Sequence, residues 1–152
     1  MRTTCGFEGA GANGSQLLVQ VGPTLVVNIG FDPVFDSAIG GTPQLAMTNV
    51  NALVDTGATE SCIDSGLAMQ LNLPIIDQRQ VGGISGAALV NMHLAQIHVP
   101  SLPFTVYGAF AGVDLAAGGQ PHLALIGRTF LRHFIMSYNG ITGEVTIHDG
   151  AP

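Results

Sequence analysis

An acidic residue directly after an apolar, strand-like run constrains this chain more than any other feature of its sequence. Residues 45–54 have the character of a strand and lead straight into Asp55, Thr56 and Gly57. Removing a lone carboxylate from water is costly, so a protein keeps one there only for a reason. Gly57 lets the backbone approach closely, and Thr56 supplies a hydroxyl that can lock a turn. The pattern predicts a carboxylate held rigidly where a strand turns.

The rest of the chain indicates one all-β domain. It has 152 residues, of which 47% are hydrophobic and 9% charged, a balance that excludes disorder. Residues 65–71 and 128–134 are predicted as short helices, and residues 32–44 and 111–121 as loops. Residues 1–20 are predicted as a flexible, Gly-rich arm before a domain over residues 21–152. Many short strands with one or two brief helices predict a small closed β barrel; the expected strands and hairpins cover residues 24–31, 45–54, 80–90, 94–99, 104–110, 123–126 and 134–148.

The charge and the absence of certain motifs exclude several functions. The net charge is −6 with only 4 Lys and Arg, which argues against binding nucleic acid or an acidic membrane surface. No apolar run reaches the ~20 residues of a spanning helix, and the N-terminus lacks the apolar core of a signal peptide. We therefore expect a soluble, cytoplasmic protein. Cys5 and Cys62 are expected to be free thiols, and the five scattered histidines predict no metal or other cofactor.

Three elements, in order, resemble the retropepsin-like aspartic peptidases. The first is Leu53-Val54-Asp55-Thr56-Gly57-Ala58, which is similar to the active-site signature of that family. The second, Val81-Gly82-Gly83-Ile84-Ser85-Gly86, resembles the flap of the retroviral enzymes. The third, Leu125-Ile126-Gly127-Arg128, resembles the element that closes the catalytic loop. The resemblance spans residues 24–148 and implies a barrel of the retropepsin (acid protease) type. The longer C-terminal hairpin favours a cellular over a viral member.

The resemblance implies an aspartic endopeptidase that works as a homodimer on extended peptide substrates. In that family two carboxylates share one proton and activate a water, and a chain with a single Asp-Thr-Gly must pair with a second copy. The site residues carried over fall into three groups. Asp55, Thr56 and Gly57 are catalytic, and Leu125, Ile126, Gly127 and Arg128 support the active loop. The residues expected to bind substrate are Ala58, Thr59, Gly82, Gly83, Ile84, Ser85 and Gly86.

Some features depart from the family pattern or leave other interpretations open. Thr59 stands where retroviral proteases usually have an Asp that pairs with the arginine matching Arg128, so Arg128 needs another partner or water. Asp64-Ser65-Gly66 also matches Asp-Ser/Thr-Gly, but we interpret Asp64 or Ser65 as a helix N-cap. Two other functions stay open: a catalytically weak binding or assembly module of retropepsin fold, and an unrelated β-barrel ligand binder.

Overall fold

The computed structural model describes residues 1–84 and 86–151, and most of its regular structure is β-strand. The predicted all-β class is confirmed. The described residues include three α-helices where one or two were predicted; the unexpected one spans Gly14–Val21. The strands are β1 Arg2–Thr4, β2 Thr24–Gly30, β3 Met47–Val54, β4 Cys62–Asp64, β5 Ile75–Gly83, β6 Gly86–Val99, β7 Phe104–Val113, β8 Ala124–Ile126, β9 Ile135–Asn139 and β10 Glu144–His148; the α-helices are α1 Gly14–Val21, α2 Ser65–Gln70 and α3 Arg128–Leu131, and Glu8–Asn13 and Ala116–Gly118 are 3₁₀ turns.

Seven strands form the larger sheet, in the order β2-β3-β8-β4-β7-β6-β5. Strand β2 also pairs with β6, which closes the first six strands into a barrel and leaves β5 on the outside of β6. Strands β3 and β8 run parallel, with Leu53 opposite Leu125. The predicted closed barrel is therefore present, and β3, whose end carries Asp55, lies within its wall.

Alternation along the strands builds the core of the barrel. On β2 the side chains of Leu25, Val27 and Ile29 are buried, while Val26 between them is exposed. A period of two is what a strand needs to face an apolar interior on one side only. The same buried cluster includes Ile126 of β8 and Phe130 of α3, so the elements around Asp55 rest on packed side chains.

Residues 1–20, predicted to be a flexible arm, are folded against the rest of the chain. Strand β1 pairs antiparallel with β10, and Cys5 and Leu18 belong to the main buried cluster. A Cβ on Gly14 would lie 2.6 Å from the Phe7 carbonyl oxygen and 2.7 Å from that of Thr142, so the glycine permits this close approach. Residues 1–20 therefore pack as part of the same unit as residues 21–151, with no boundary at residue 21. The prediction took a Gly-rich composition as a sign of mobility, but glycine also permits close packing.

The predicted loop over residues 32–44 is irregular in structure but closely tied to the barrel. The buried Gln96 side chain accepts a hydrogen bond from the Asp32 amide at 2.6 Å and donates one to the Asp32 carbonyl at 2.9 Å. The Asp32 carboxylate accepts from the amides of Val34 and Gln44, which joins the two ends of the loop. The loop predicted at 111–121 begins later than expected, since β7 continues to Val113. Across residues 1–84 and 86–151, no helix is long and apolar enough to cross a membrane.

Candidate active site

Asp55 follows the last residue of β3 and is held by hydrogen bonds to the neighbouring strand. Val54 lies opposite Ile126 in the parallel β3–β8 pair, and the Asp55 amide donates to the Ile126 carbonyl at 2.9 Å. On the other side, the Val54 amide donates to the Pro23 carbonyl at 2.8 Å. The backbone that carries the carboxylate is therefore braced from two directions, while the Asp55 side chain itself is only half-buried.

The turn after Asp55 uses the carboxylate as an acceptor. The Gly57 amide donates to Asp55 Oδ1 at 2.8 Å, and the Ala58 amide donates to the Asp55 carbonyl at 3.2 Å. A Cβ on Gly57 would lie 3.0 Å from Asp55 Oδ1, so any side chain there would crowd the carboxylate. One carboxylate oxygen is thereby oriented by the backbone, and Thr56 and Gly57 are exposed beside it.

Arg128 ties together the two ends of the turn that follows Asp55. Its guanidinium donates to the Thr56 carbonyl at 2.8 Å and to the Thr59 hydroxyl at 2.8 Å. Its backbone amide also donates to the Ala58 carbonyl at 2.9 Å. The open question of a partner for Arg128 is thus answered by Thr59 itself, a neutral acceptor at the position where the retroviral pattern has an acid.

Gly127 allows α3 to approach the loop that α3 supports. A Cβ on Gly127 would lie 2.6 Å from the carbonyl carbon and oxygen of Glu60, which are backbone atoms that cannot easily move aside. The Gly127 amide also donates to the buried Ser61 hydroxyl at 3.1 Å. Leu125 and Ile126 precede this contact on β8. Ile126, Gly127 and Arg128 therefore contact the loop directly, whereas Leu125 lies opposite Leu53 and Cys62 on the neighbouring strands.

The β5–β6 hairpin projects away from the barrel. All nine residues of β5 are exposed, the last register pair is Gly83 with Gly86, and Ile84 beyond it is fully exposed. The hairpin predicted over residues 80–90 is confirmed, but its strands are longer than expected. Ser85, one of the residues expected to bind substrate, lies outside the described residues. Because the side chains of β5 are exposed, little buried packing holds the hairpin in one position.

A cavity of about 490 Å³ lies between the tip half of β5 and the active loop. Ala58 and Thr59 line one side, and Val81 and Gly82 line the other. Gly83, Ile84 and Gly86 lie nearer the hairpin tip and do not line it. Leu125, expected to support the loop, also lines this cavity. The wall is completed by eight residues that the sequence did not assign to the site: Glu60, Ser61, Cys62, Arg79, Gln80, Met92, Ala111 and Val113. They belong to no site motif and meet here because the fold brings distant strands together.

A second, open concavity of about 530 Å³ contains Asp55 itself. Its other lining residues are Pro23, Leu53, Val54, Thr56, Met136 and Tyr138. None of these is acidic, so within the described part of the chain this concavity gives Asp55 no second carboxylate. Met136 and Tyr138 come from β9, and no local sequence signal could have placed them beside a residue about eighty positions earlier.

Asp64, in the second Asp-Ser/Thr-Gly sequence, has a carboxylate that holds backbone segments together. It is buried; its Oδ2 accepts from the Leu67 amide at 3.1 Å, and its Oδ1 accepts from the amides of Leu115 and Ala116 at 3.0 and 3.2 Å. The interpretation of Asp64 as the N-cap of α2 is confirmed. Both Asp64 oxygens accept from backbone amides in a buried setting, whereas Asp55 lines the open concavity.

Neither cysteine offers an alternative nucleophile. Both are free thiols, as predicted, and both are buried. Burial raises the pKa of Cys62 to about 11; a backbone hydrogen bond with Leu125 acts against this shift, and the charge of Asp55 adds to it. Burial, together with the charge of Glu8, raises the pKa of Cys5 to about 12. Since the thiolate is the reactive form, Asp55 is the stronger candidate for chemistry.

Comparison with known proteins identifies a family, and a retroviral protease is among the solved structures that match. Residues 43–133 match the family described as gag-polyprotein putative aspartyl protease, a stretch of more than half the chain that includes Asp55, the β5–β6 hairpin and α3. Among solved structures, an EIAV protease complexed with the inhibitor HBY-793 is 19% identical in sequence to this chain. The match covers 72% of this chain and 85% of the EIAV protease chain, with a TM-score of 0.47. No curated protein matches the chain.

Proposed function

The chain belongs to the gag-polyprotein aspartyl protease family, and we propose that it is an endopeptidase that cuts extended polypeptides with an Asp55 pair formed by two copies. The family supports protease-type chemistry in general. Beyond the family, we propose that Asp55 is the catalytic residue, that two copies form the site and that the substrate is an extended polypeptide. The observation that carries it is the geometry of Asp55: a braced carboxylate, one oxygen oriented by the Gly57 amide, facing an open concavity with no other acid in its lining.

Two copies are needed because the chemistry requires two carboxylates in different protonation states. Like charges placed close together cannot both ionise, so the pair of Asp55 side chains would hold one proton between them. The ionised carboxylate accepts a proton from a water, whose oxygen attacks the carbonyl carbon of the peptide bond. The protonated carboxylate donates a hydrogen bond to the carbonyl oxygen. A proton then passes to the leaving amine as the C–N bond breaks.

The hydrogen bonds around Asp55 serve this reaction because they fix the position of the Asp55 carboxylate. The Gly57 amide holds Oδ1, which leaves Oδ2 to face a water or the second copy. Arg128 fixes the Thr56 carbonyl, and thereby the backbone next to the carboxylate. A misplacement of about 1 Å in such a site can cost roughly 100-fold in rate. Arg128 and Thr59 therefore act as positioning residues.

The proposed substrate lies between the active loop and the β5–β6 hairpin. An extended peptide can pair its backbone with exposed strand and glycine residues at Gly57 and Gly82 while one side chain enters the cavity beside them. Met92, Ala111, Val113 and Leu125 make much of that cavity apolar, and its volume of about 490 Å³ has room for a large side chain. An apolar residue near the cut is the preference this wall favours.

Cleavage of a diverse peptide mixture across pH 3 to 7 tests the proposal. Wild type is compared with Asp55→Asn, and with Asp36→Asn as a matched control, because Asp36 is an exposed aspartate in the 32–44 loop. We expect cuts with wild type and Asp36→Asn, and none with Asp55→Asn. If neither wild type nor Asp36→Asn cuts any peptide at concentrations where the protein is dimeric, the proposal is wrong. A partner that still binds Asp55→Asn would then support the binding-module alternative.

A further inference from the structure

We propose that a cavity between helix α2 and strands β6 and β7 binds a primary ammonium group on an apolar stem, the chemistry of a lysine side chain or a free alkyl amine. The cavity has a volume of about 470 Å³, which is the size of many small-ligand sites. It shares only Val113 with the cavity beside the active loop, and none of its lining residues with the concavity of Asp55. The inference therefore goes beyond the proposed peptidase and requires neither Asp55 nor a second copy.

His93 of β6 supplies a ring nitrogen at this cavity. The residue is only 1% exposed and lines the cavity, and its Nδ1 lies 3.3 Å from the Leu73 carbonyl oxygen. Because a carbonyl oxygen can only accept, Nδ1 carries the hydrogen and Nε2 has a lone pair. Within residues 1–84 and 86–151, Nε2 has no hydrogen-bond partner, yet every fully enclosed polar side-chain atom there has one. Nε2 must therefore reach open space, and the cavity provides it.

Gly112 of β7 lets the imidazole of His93 lie against the strand. A Cβ on Gly112 would be 3.0 Å from Nε2 and 3.1 Å from Cδ2 of His93. Gly112 also lines the cavity. Any side chain at this position would crowd the ring nitrogen that has no partner, so the glycine keeps that nitrogen accessible to a ligand.

Ser65 and Asp114 come to the cavity from neighbouring strands. The last register pair of β4 and β7 joins Asp64 to Val113, so the next residue of each strand, Ser65 and Asp114, lies beside the other. Both line the cavity. Asp114 Oδ1 accepts from the Ala117 amide at 3.2 Å, which leaves Oδ2 for a ligand, and Ser65 adds a hydroxyl oxygen.

These three acceptors match an ammonium group, which has three hydrogens to donate and carries a compact positive charge. No Lys or Arg lines the cavity, so the Asp114 charge is not neutralised there. A metal ion fits less well, because the described residues contain no group of three His, Cys, Asp or Glu side chains that could hold one. Met69 and Leu89, which are 60% and 64% exposed, provide an apolar wall for the stem.

A ligand in this cavity would connect the β5–β6 hairpin to the barrel. Leu89 belongs to the β6 arm of the hairpin, whereas Ser65 and Asp114 follow barrel strands β4 and β7. Contacts to both sides would reduce local opening of the hairpin. Amide hydrogen exchange at Leu89 should therefore slow when the ammonium compound binds.

The test is a titration of the ¹⁵N-labelled protein followed by NMR. The probes are Nα-acetyl-lysine methylamide, the norleucine analogue that keeps the four-carbon stem but lacks the ammonium, and cadaverine as a free alkyl amine. For ligands of this size we expect dissociation constants of roughly a millimolar. The ammonium compounds should shift the Gly112 amide and His93 Nε2 signals saturably, and the norleucine analogue should not. Binding of the lysine compound alone identifies a polypeptide as the source, and binding of cadaverine alone identifies a free amine.

Asp114→Asn should weaken ammonium binding about threefold or more, because it removes the charge of an exposed ion pair. Asp36→Asn, which makes the same change in charge outside the cavity, should leave binding unchanged. Equal binding of the lysine and norleucine compounds, or equal affinity of wild type and Asp114→Asn, would overturn the inference. So would an Nε2 signal showing that this nitrogen carries the hydrogen. Repeating the titration with Asp55→Asn keeps the result independent of peptide cleavage.

Discussion

Arg128 donates to the Thr59 hydroxyl at 2.8 Å while its other terminal nitrogen donates to the Thr56 carbonyl at 2.8 Å. One guanidinium on α3 thus spans the turn that follows Asp55. The fork geometry of arginine makes this possible, because a lysine has a single ammonium that cannot hold two acceptors in fixed directions. The acceptor at residue 59 is neutral, so the contact has no strong ion-pair character.

Thr59→Ala should clearly lower peptide turnover while lowering the stability of the fold only slightly. It removes one hydrogen bond, which is worth about 0.5–1.5 kcal/mol, and frees one side of the Arg128 fork. Thr59→Asp should instead raise the unfolding temperature at neutral pH, because a carboxylate accepts a stronger, charge-assisted bond from arginine. Thermal unfolding and peptide turnover measure both effects, with Thr42→Ala, an exposed loop threonine, as control. Equal turnover by wild type and Thr59→Ala would contradict a positioning role.

Gly127→Ala should destabilise the fold and abolish turnover. The new Cβ would meet the Glu60 backbone at 2.6 Å, and overpacking of this kind costs about 1–3 kcal/mol. Gly118→Ala is the matched control, since a Cβ there meets nothing within 4 Å. Urea unfolding compares the two variants with wild type. A similar small effect at both glycines would show that α3 can shift away from the loop without cost.

The two Asp-Ser/Thr-Gly aspartates should respond in opposite ways to the same change. Asp64→Asn places an amide NH₂ against the backbone donors of Leu67 or of Leu115 and Ala116, so a buried donor loses its acceptor at about 1–3 kcal/mol. Asp55→Asn can keep its oxygen on the Gly57 amide and turn its NH₂ to the open concavity. We expect Asp64→Asn to lower the free energy of unfolding and Asp55→Asn to leave it within about 1 kcal/mol. The reverse order in urea unfolding would refute this assignment of roles.

The protein should become less stable as the pH falls below about 6.5. Burial lowers the pKa values of His98 and His122 below the ordinary value of 6.5, so the folded state favours the neutral rings. The unfolded chain binds more protons below that pH, and the stability that the two histidines contribute is therefore present above it and lost progressively below it. Replacing both by Gln should flatten the loss. Urea unfolding at pH 7.5, 6.5 and 5.5 measures the slope, and an unchanged slope in the double variant would contradict this account.

Several parts of the fold could be predicted because they depend on local pattern. β-Branched residues at 24–31 indicated β2, the strand character of residues 45–54 indicated β3, and the apolar run at 123–126 indicated β8. Asp64 before a short helical stretch indicated an N-cap. The N-terminal segment was predicted wrongly, because its glycines, which usually indicate mobility, here permit close backbone contact between Gly14 and Thr142.

Local sequence shows which chemical groups this chain carries: one Asp-Thr-Gly at the end of a strand, a Gly-rich hairpin after it, and an arginine after the final apolar element. The partners that these groups face depend on how the chain packs in three dimensions. Arg128 meets Thr59, and Tyr138 of β9 shares a concavity with Asp55, although each pair is about seventy or more positions apart. The physical reason is that hydrophobic burial specifies which side chains leave water, whereas strand pairing and packing decide which of them meet.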